Sequence, residues 1–355
     1  MARPMTIRTS CVSGAPIALM LGLLAWWAPA AALAQGKSDV VTLANGDRIT
    51  GEVKRLERGR LVFETDDAGT LYLEWDKLAS VESKQQVEVT TADGQRYLGS
   101  LGPAPDRSVA VIQATNAATT LAMAEVTELH PIGRRFWSKV DGSLDVGFSY
   151  TRSSGVAQLN FNSDTVYRQA GFEGRVTAAA TQTRKDDDPG RDDRAYVEIA
   201  YLRYPWQRWF LTTAGRFETN ESLGLNLRSQ FGGAIGPRLI NTNRAQMTLG
   251  AGVVVNDEQG VDVESSQSIE AMLLFRTSYY TYDRPKTNLD VSLQYYPSLS
   301  QSGRHRVQFD AAVKRELFKD LFVSVNGFNT YDSRPPNPAA ATNDVGIVWP
   351  IGWSY

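Results

Sequence analysis

Val345-Gly346-Ile347-Val348-Trp349-Pro350-Ile351-Gly352-Trp353-Ser354-Tyr355 closes the sequence. The odd positions carry Val, Ile, Trp, Ile, Trp and Tyr; the even positions carry Gly, Val, Pro, Gly and Ser. Alternation of period two predicts a strand with one apolar face. That face presents two tryptophans and a tyrosine, side chains with an apolar body and a polar tip that suit a boundary between apolar and aqueous phases.

Working outward, the same pattern fills residues 135–355. Leu225, Leu227, Phe231, Ile235 and Leu239 share one face of a run whose other face carries Asn226, Arg228, Gln230 and Arg238. Ala245 to Val255 alternates against Gln246 to Asn256, Leu289 to Tyr295 against Asn288 to Gln294, and Val307 to Val313 against Arg306 to Lys314. Further runs lie at Gly142 to Tyr150, Leu159 to Tyr167, Phe172 to Gln182, Arg194 to Arg203, Trp209 to Phe217, Ile269 to Tyr279 and Leu321 to Phe328. Runs of about ten residues are long enough to cross a bilayer at a tilt. The expected fold is therefore all-β, a transmembrane antiparallel β-barrel of about 12 strands. No open edge survives in lipid, so the last strand is expected to pair with the first.

The connections support this reading. Short ones are expected at Ala170-Gly171, Trp206-Gln207, Asn241 to Asn243, Asp283 to Pro285 and Lys319-Asp320. Most of the alternate connections are longer: Asp186 to Asp193, Thr219 to Leu223, Asp257 to Gln267, Ser298 to Gly303 and Asp332 to Asn343, with Ser153 to Gly155 the short exception. Short turns on one side and long loops on the other are the habit of outer-membrane barrels. Phe136, Trp137, Tyr204, Trp206, Trp209, Tyr279, Tyr280, Phe318, Trp353 and Tyr355 fall near the short-turn end and are expected to form an interfacial girdle.

The first residues read as a secretory signal peptide over 1–34. Arg3 and Arg8 precede an apolar stretch from Ala15 to Ala28, and Ala32-Leu33-Ala34 supplies the cleavage site. Cys11 lies before the apolar stretch, so removal of the signal leaves no cysteine and no disulfide. The remaining chain carries 35 basic and 39 acidic residues, a net charge of −4. That near balance gives no footprint for nucleic acid. No apolar run after residue 34 reaches the roughly 18 residues of a membrane helix.

Residues 35–132 repeat themselves. Asn45-Gly46-Asp47-Arg48 and Gly51-Glu52-Val53 return as Asp93-Gly94-Gln95-Arg96 and Gly99-Ser100-Leu101, offset by 48 positions, and Leu78 and Val81 return as Val126 and Leu129. Two copies of one β unit, at about 38–83 and 86–131, are expected. Each reads as a small SH3-like barrel, with Asn45-Gly46 closing a hairpin and Trp75 to Ser80 a helical turn. Pro103 and Pro105 are expected to break a strand of the second copy. The pair serves either as a periplasmic binding module, for peptidoglycan or an envelope protein, or as a spacer.

The inward positions of the long strands include Glu173, Arg175, Glu198, Arg216, Glu218, Arg228, Arg238, Glu270, Arg276, Asp290, Arg306, Asp310, Lys314 and Glu316. Seven are acidic and seven basic. Such a face either fills a narrow interior with paired charges or lines a wet pore. The balance of signs favours the filled or weakly conducting interior. No catalytic residue, cofactor or metal site is expected. A lipid-modifying enzyme would need a histidine beside a serine, and His305 near Ser300 and Ser302 is the one such placement; His130 precedes the first barrel strand. The acidic run Asp186 to Asp193 reads as a solvated loop more readily than as a Ca²⁺ site.

A closing strand that alternates through Trp349, Ile351, Trp353 and Tyr355 resembles the terminal signal read by the barrel-assembly machinery. Leu43-Ala44-Asn45-Gly46-Asp47-Arg48-Ile49-Thr50-Gly51-Glu52-Val53, with Gly69-Thr70 and Trp75, resembles the N-terminal part of the YdiY-like salt-induced outer-membrane proteins. Phe136-Trp137, Gly142 to Tyr150 and Gly352-Trp353-Ser354-Tyr355 resemble that family's barrel. The resemblance implies a Gram-negative outer-membrane barrel in contact with lipid and lipopolysaccharide, with the N-terminal part in the periplasm. It implies no established biochemical activity and transfers no catalytic residue. Envelope integrity, a stress response or weak small-solute passage is the role expected of it.

Overall fold

The structure, a computed structural model, describes residues 37–115, 117–133, 139–151, 155–185, 188–220, 225–260, 265–318, 321–335, 342–349 and 351–353. The expected signal segment, Phe136, Trp137, Lys319-Asp320 and Tyr355 lie outside them. The described chain is all-β, with two antiparallel sheets and no α-helix.

The first sheet has nine strands: β1 (Asp39–Leu43), β2 (Arg48–Glu57), β3 (Arg60–Glu64), β4 (Thr70–Glu74), β5 (Leu78–Thr91), β6 (Arg96–Ala104), β7 (Ser108–Ile112), β8 (Ala118–Ala122) and β9 (Val126–Pro131). Their order is β4-β3-β2-β1-β5-β6-β7-β8, with β9 paired to β2 and β5. The sequence repeat is a structural repeat. β2, β3, β4 and the 3₁₀ turn Trp75–Lys77 recur 48 residues later as β6, β7, β8 and the 3₁₀ turn Met123–Glu125. Turn geometry recurs as well: Gly46 and Gly94 have φ of 94° and 84°, and Arg58 and Asp106 have φ of 53° and 55°. Even single backbone bonds recur, Trp75 N to Gly59 O and Met123 N to Arg107 O.

The two copies are fused through β5. Its first half pairs with β1, Val41 facing Val81, and its second half pairs with β9, Val89 facing Leu129. Between the copies lies the hydrophobic core, built from Val41, Leu56, Leu61, Phe63, Trp75, Val81, Val89, Met123 and Leu129. Each large side chain fully buried there contributes about 1.5–3 kcal/mol. Trp75 Nε1 donates to Met123 O at 2.6 Å, which ties equivalent turns of the two copies together and satisfies the indole inside an apolar site.

Pro103 does not break its strand, as the sequence had suggested; it lies within β6 opposite Val109. β5 leaves β6 at Leu101, so no ladder bond on that side needs the missing N–H.

The second sheet runs in chain order through β10 (Val140–Thr151), β11 (Val156–Gln169), β12 (Phe172–Lys185), β13 (Asp188–Trp206), β14 (Trp209–Asn220), β15 (Leu225–Asn241), β16 (Ala245–Gly260), β17 (Ser266–Thr281), β18 (Thr287–Pro297), β19 (His305–Phe318), β20 (Leu321–Asp332), β21 (Asn343–Val348) and β22 (Ile351–Trp353). These thirteen strands make twelve courses. Val348 faces Asn326 and Ile351 faces Val323, so β21 and β22 keep one register along β20.

Two expectations need correction. The acidic run from Asp186 is not all loop: Asp188, Arg191, Asp192 and Asp193 pair with Lys185, Arg184, Thr183 and Gln182, with a register shift between Arg184 and Lys185. Asp257 and Glu258 are likewise strand residues, paired with Gln267 and Ser266. A strand continues wherever its neighbour offers a free ladder, whatever the polarity of the side chains. Among the described residues the sheet runs from β10, paired with β11, to β21, paired with β20.

The outer face is apolar. Leu144, Val146 and Phe148 on β10, Val197, Ile199 and Tyr201 on β13, Leu249, Val253 and Val255 on β16, and Val345, Ile347, Trp349 and Ile351 at the end are all exposed, Phe148 and Ile351 at 73%. Alternation sends their neighbours to the opposite, concave face.

Candidate functional site

The short-turn end of the large sheet carries the first sheet as a cap. The β-turn between β15 and β16 reaches into it: Asn241 Nδ2 donates to Thr127 Oγ1 at 3.0 Å, and Asn243 Nδ2 to Val126 O at 2.8 Å. Gly171, in the β11–β12 turn with φ 79°, donates its N–H to Glu88 Oε2 at 2.8 Å. Tyr282 O–H donates to Arg58 O at 2.7 Å, and the Arg60 guanidinium lies 4.0 Å above the Tyr282 ring. Gly59 and Gly94, both at positive φ, sit so close to Asn243 and Gln207 that a Cβ at either would collide with backbone.

Charge pairs complete the junction. Arg238 of β15 binds Glu128 at 2.6 Å with both side chains nearly buried, and Arg168 of β11 binds Glu57 at 3.2 Å. Arg58 reaches into the large sheet to bind Asp290 at 2.8 Å and Asn288 at 2.7 Å. Tyr204 is held between the Arg96 and Arg238 guanidinium groups, 4.0 and 4.6 Å from its ring. Burial alone would raise the Glu128 carboxyl. The charges of Arg238, His130 and Arg96 and the Arg238 hydrogen bond outweigh it and hold the group below the usual carboxylate range.

The girdle expectation divides here. Trp206, Trp209, Tyr279 and Phe318 are exposed on the outer face, but Tyr204 and Tyr280 are inward. Both occupy inward even positions of their strands; Trp206 and Phe318, also even, lie beyond register shifts at Arg203/Trp206 and Glu316/Phe318 and are exposed, so parity and bulges, not closeness to the turn, decided each side.

The fourteen inward candidates fall on one face. Glu198, Arg216, Gln230 and Asn256 form a row of directly paired residues across β13 to β16, and Arg276, Ser292 and Asp310 form another across β17 to β19. Most are paired: Glu173 with Arg168 and Arg175, Arg216 with Glu198 and Glu218, Arg228 with Glu258, Arg306 with Glu270, and Glu316 with Arg284. The Lys314 ammonium lies 4.8 Å from the Phe322 ring.

Toward the long-loop end the pairing is buried. Arg306 holds Glu270 at 2.5 Å; Arg304 holds Asp332 at 2.8 Å and Glu258 at 3.3 Å, and Arg228 also binds Glu258 at 2.9 Å. Glu258 is 1% exposed and Glu270 0%. Glu258 and Asp332 were missed because they had been assigned to loops, although the even-position series Val254, Asn256, Glu258 carries the signal; Arg304, just past the connection Ser298 to Gly303, was assigned to no strand. Between this network and the cap lies a cavity of about 460 Å³, lined from β12 to β19.

His305 packs between the Tyr295 and Tyr331 rings, and its backbone N–H donates to Ser333 Oγ. Ser300 Oγ accepts from the Ile269 N–H. Among the described residues no hydrogen bond links the His305 ring to Ser300 or Ser302, and no His, Cys, Asp and Glu cluster is arranged to hold a metal ion. His130 lies in β9, 3.8 Å from Glu57. Trp349 and Ile351 are exposed.

These features define an all-β protein on a meandering antiparallel sheet, apolar outside and ionic within. A family model described as "Protein of unknown function, DUF481" matches residues 143–347, more than half of the chain. The chain belongs to that family, the YdiY-like, salt-induced outer-membrane proteins of unknown function. The match begins in β10, so the capping sheet lies outside it. No curated protein matches the chain.

Proposed function

We propose that the protein is a non-enzymatic outer-membrane β-barrel, closed between its first and last courses, with its interior shut by its own charge pairs and its periplasmic mouth shut by the capping sheet. The observation that carries this reading is occlusion at both ends: the buried Glu258–Arg304–Asp332 and Glu270–Arg306 network on one side and the Glu128–Arg238 junction on the other. The apolar outer face suits lipid and lipopolysaccharide, and backbone groups at both sheet edges have no water to bond in a bilayer, which favours closure. Trp349, Ile351, Trp353 and Tyr355 are then the residues offered to the assembly machinery.

Such a body serves envelope integrity or a stress response better than solute flow. Two SH3-like copies facing the periplasm present free edges at β4 and β8 for peptidoglycan or an envelope protein. The test is planar-bilayer recording from the refolded full chain beside Glu128→Gln. The parent is expected to be silent and the variant to show intermittent steps. Stable, ion-selective steps from the parent would replace this reading with that of a dedicated channel.

A further inference from the structure

The charged lining of the chamber between the cap and the buried network carries an excess of positive groups. Small residues make the room: Gly232, Gly233, Ala234 and Ala214 occupy positions where longer side chains would fill it. Its charged lining is Glu173, Glu198, Arg175, Arg216, Arg238 and Arg276, two acids against four arginines. Three of the arginines have carboxylate partners: Arg175 binds Glu173, Arg216 binds Glu198 and Glu218, and Arg238 binds Glu128. Arg276 has none among the described residues.

The neutral groups around Arg276 lean the same way. Thr248 and Ser292 flank it on the adjacent strands, and Gln294 and Gln308 face each other one step along. The Tyr296 hydroxyl donates to Gln294 Oε1, which occupies the amide's acceptor and leaves its N–H groups for another partner. The Gln308 amide has no partner among the described residues. The Arg276 guanidinium, the Gln294 and Gln308 amides and the Thr248 hydroxyl line this space, and the two carboxylates that line it as well, Glu173 and Glu198, are each engaged by an arginine. Asp290 and Asp310 line an adjoining cavity of about 440 Å³ together with Arg276. Asp290 is occupied by Arg58 and Ser278, and Asp310 forms no ion pair with Arg276 among the described residues.

We propose that this chamber is an oxyanion site, in which Arg276 takes a phosphate or carboxylate group by its planar donor fork and Gln294 and Gln308 complete the coordination. The proposal rests on the closed-barrel reading and adds to it a ligand chemistry: the barrel holds a small anion, or the anionic end of a larger solute, instead of conducting it.

The test is isothermal titration of the refolded full chain in non-ionic detergent with inorganic phosphate, and separately with acetate. Saturable phosphate uptake is expected, at least tenfold weaker in Arg276→Gln and unchanged in Arg48→Gln on the capping sheet. Asp310→Asn should bind more tightly, because a competing carboxylate is removed. Should Arg276→Gln lose the heat-modifiable gel mobility of a folded barrel, the pair Gln294→Leu and Gln308→Leu makes the same test. Absence of uptake by the folded parent, or equal uptake by Arg276→Gln, would overturn the site. Acetate uptake with the same dependence on Arg276 would identify a carboxylate as ligand, and phosphate uptake alone would identify phosphate. Steady conduction by the parent would defeat the closed-barrel reading while leaving phosphate uptake standing; silent bilayers without uptake would defeat the anion site alone.

Discussion

Replacing Glu128 by Gln removes the anion that Arg238 holds at 2.6 Å while leaving the shape of the junction nearly unchanged. Both side chains are about one-eighth exposed, so the variant leaves a buried guanidinium without its counter-charge. Breaking a buried pair from one side costs about 3–5 kcal/mol, roughly two to four powers of ten in the docking equilibrium. The other ion pairs of the junction are weaker supports. Arg58–Asp290 is more than one-third exposed on each side, and solvent screening reduces it to about 0–1 kcal/mol.

The cap should therefore open far more often. Hydrogen exchange read by mass spectrometry on the refolded full chain reports this directly. Amides around Gly171, whose N–H donates to Glu88, and in the Asn241 to Ala245 turn should exchange about a hundredfold faster or more, while the centre of β15 and β16 stays protected. The double variant Glu128→Gln with Arg238→Met should recover most of the protection, because no unpaired charge remains. A change below about threefold in the single variant, or an equal change across β15 and β16, would refute the reasoning.

Three further outcomes follow from the same geometry. Glu128 is held below its free value when docked, so its contribution is fully present above the free carboxylate range, about 4.3, and fades as pH falls through the depressed value; protection at the junction, after correction for intrinsic base-catalysed exchange, should fall below about pH 4 and stay flat from 5 to 7. Gly59→Ala strains a backbone at φ 69° and drives a Cβ against Asn243, so it should speed exchange at the junction more than Gly46→Ala, whose Cβ meets nothing, both measured against parent. Trp75→Ala removes a buried side chain and the bond to Met123 O, and should lower the stability of the capping sheet by about 3–5 kcal/mol in denaturant titration, with little effect on the large sheet.

Local pattern carried the architecture. Alternation placed the long strands and sent Glu198, Arg216 and Arg276 to one face, because a period of two leaves a side chain no other choice. The 48-residue repeat announced the fused copies, down to the turn glycines Gly46 and Gly94. The misplacements have physical causes. Glu258 and Asp193 are acidic, and their polarity was read as a loop, whereas the ladder continues through both, and the inward Glu258 is balanced by Arg228 and Arg304. Tyr204 and Tyr280 were assigned by nearness to a turn when parity sent them inward under Arg96 and Arg58. The junction had no local signature. Arg58 and Asp290 are 232 residues apart, and Arg238 and Glu128 110, and nothing in either segment names the other.

The most direct measurement is single-channel recording in planar bilayers from the refolded full chain, at neutral pH and moderate salt, beside Glu128→Gln. The account predicts a silent parent and intermittent, brief openings in the variant, as the cap leaves the mouth. Steady ohmic steps of equal size and frequency in both would contradict it, because the interior would then be an open pore that the capping sheet does not close.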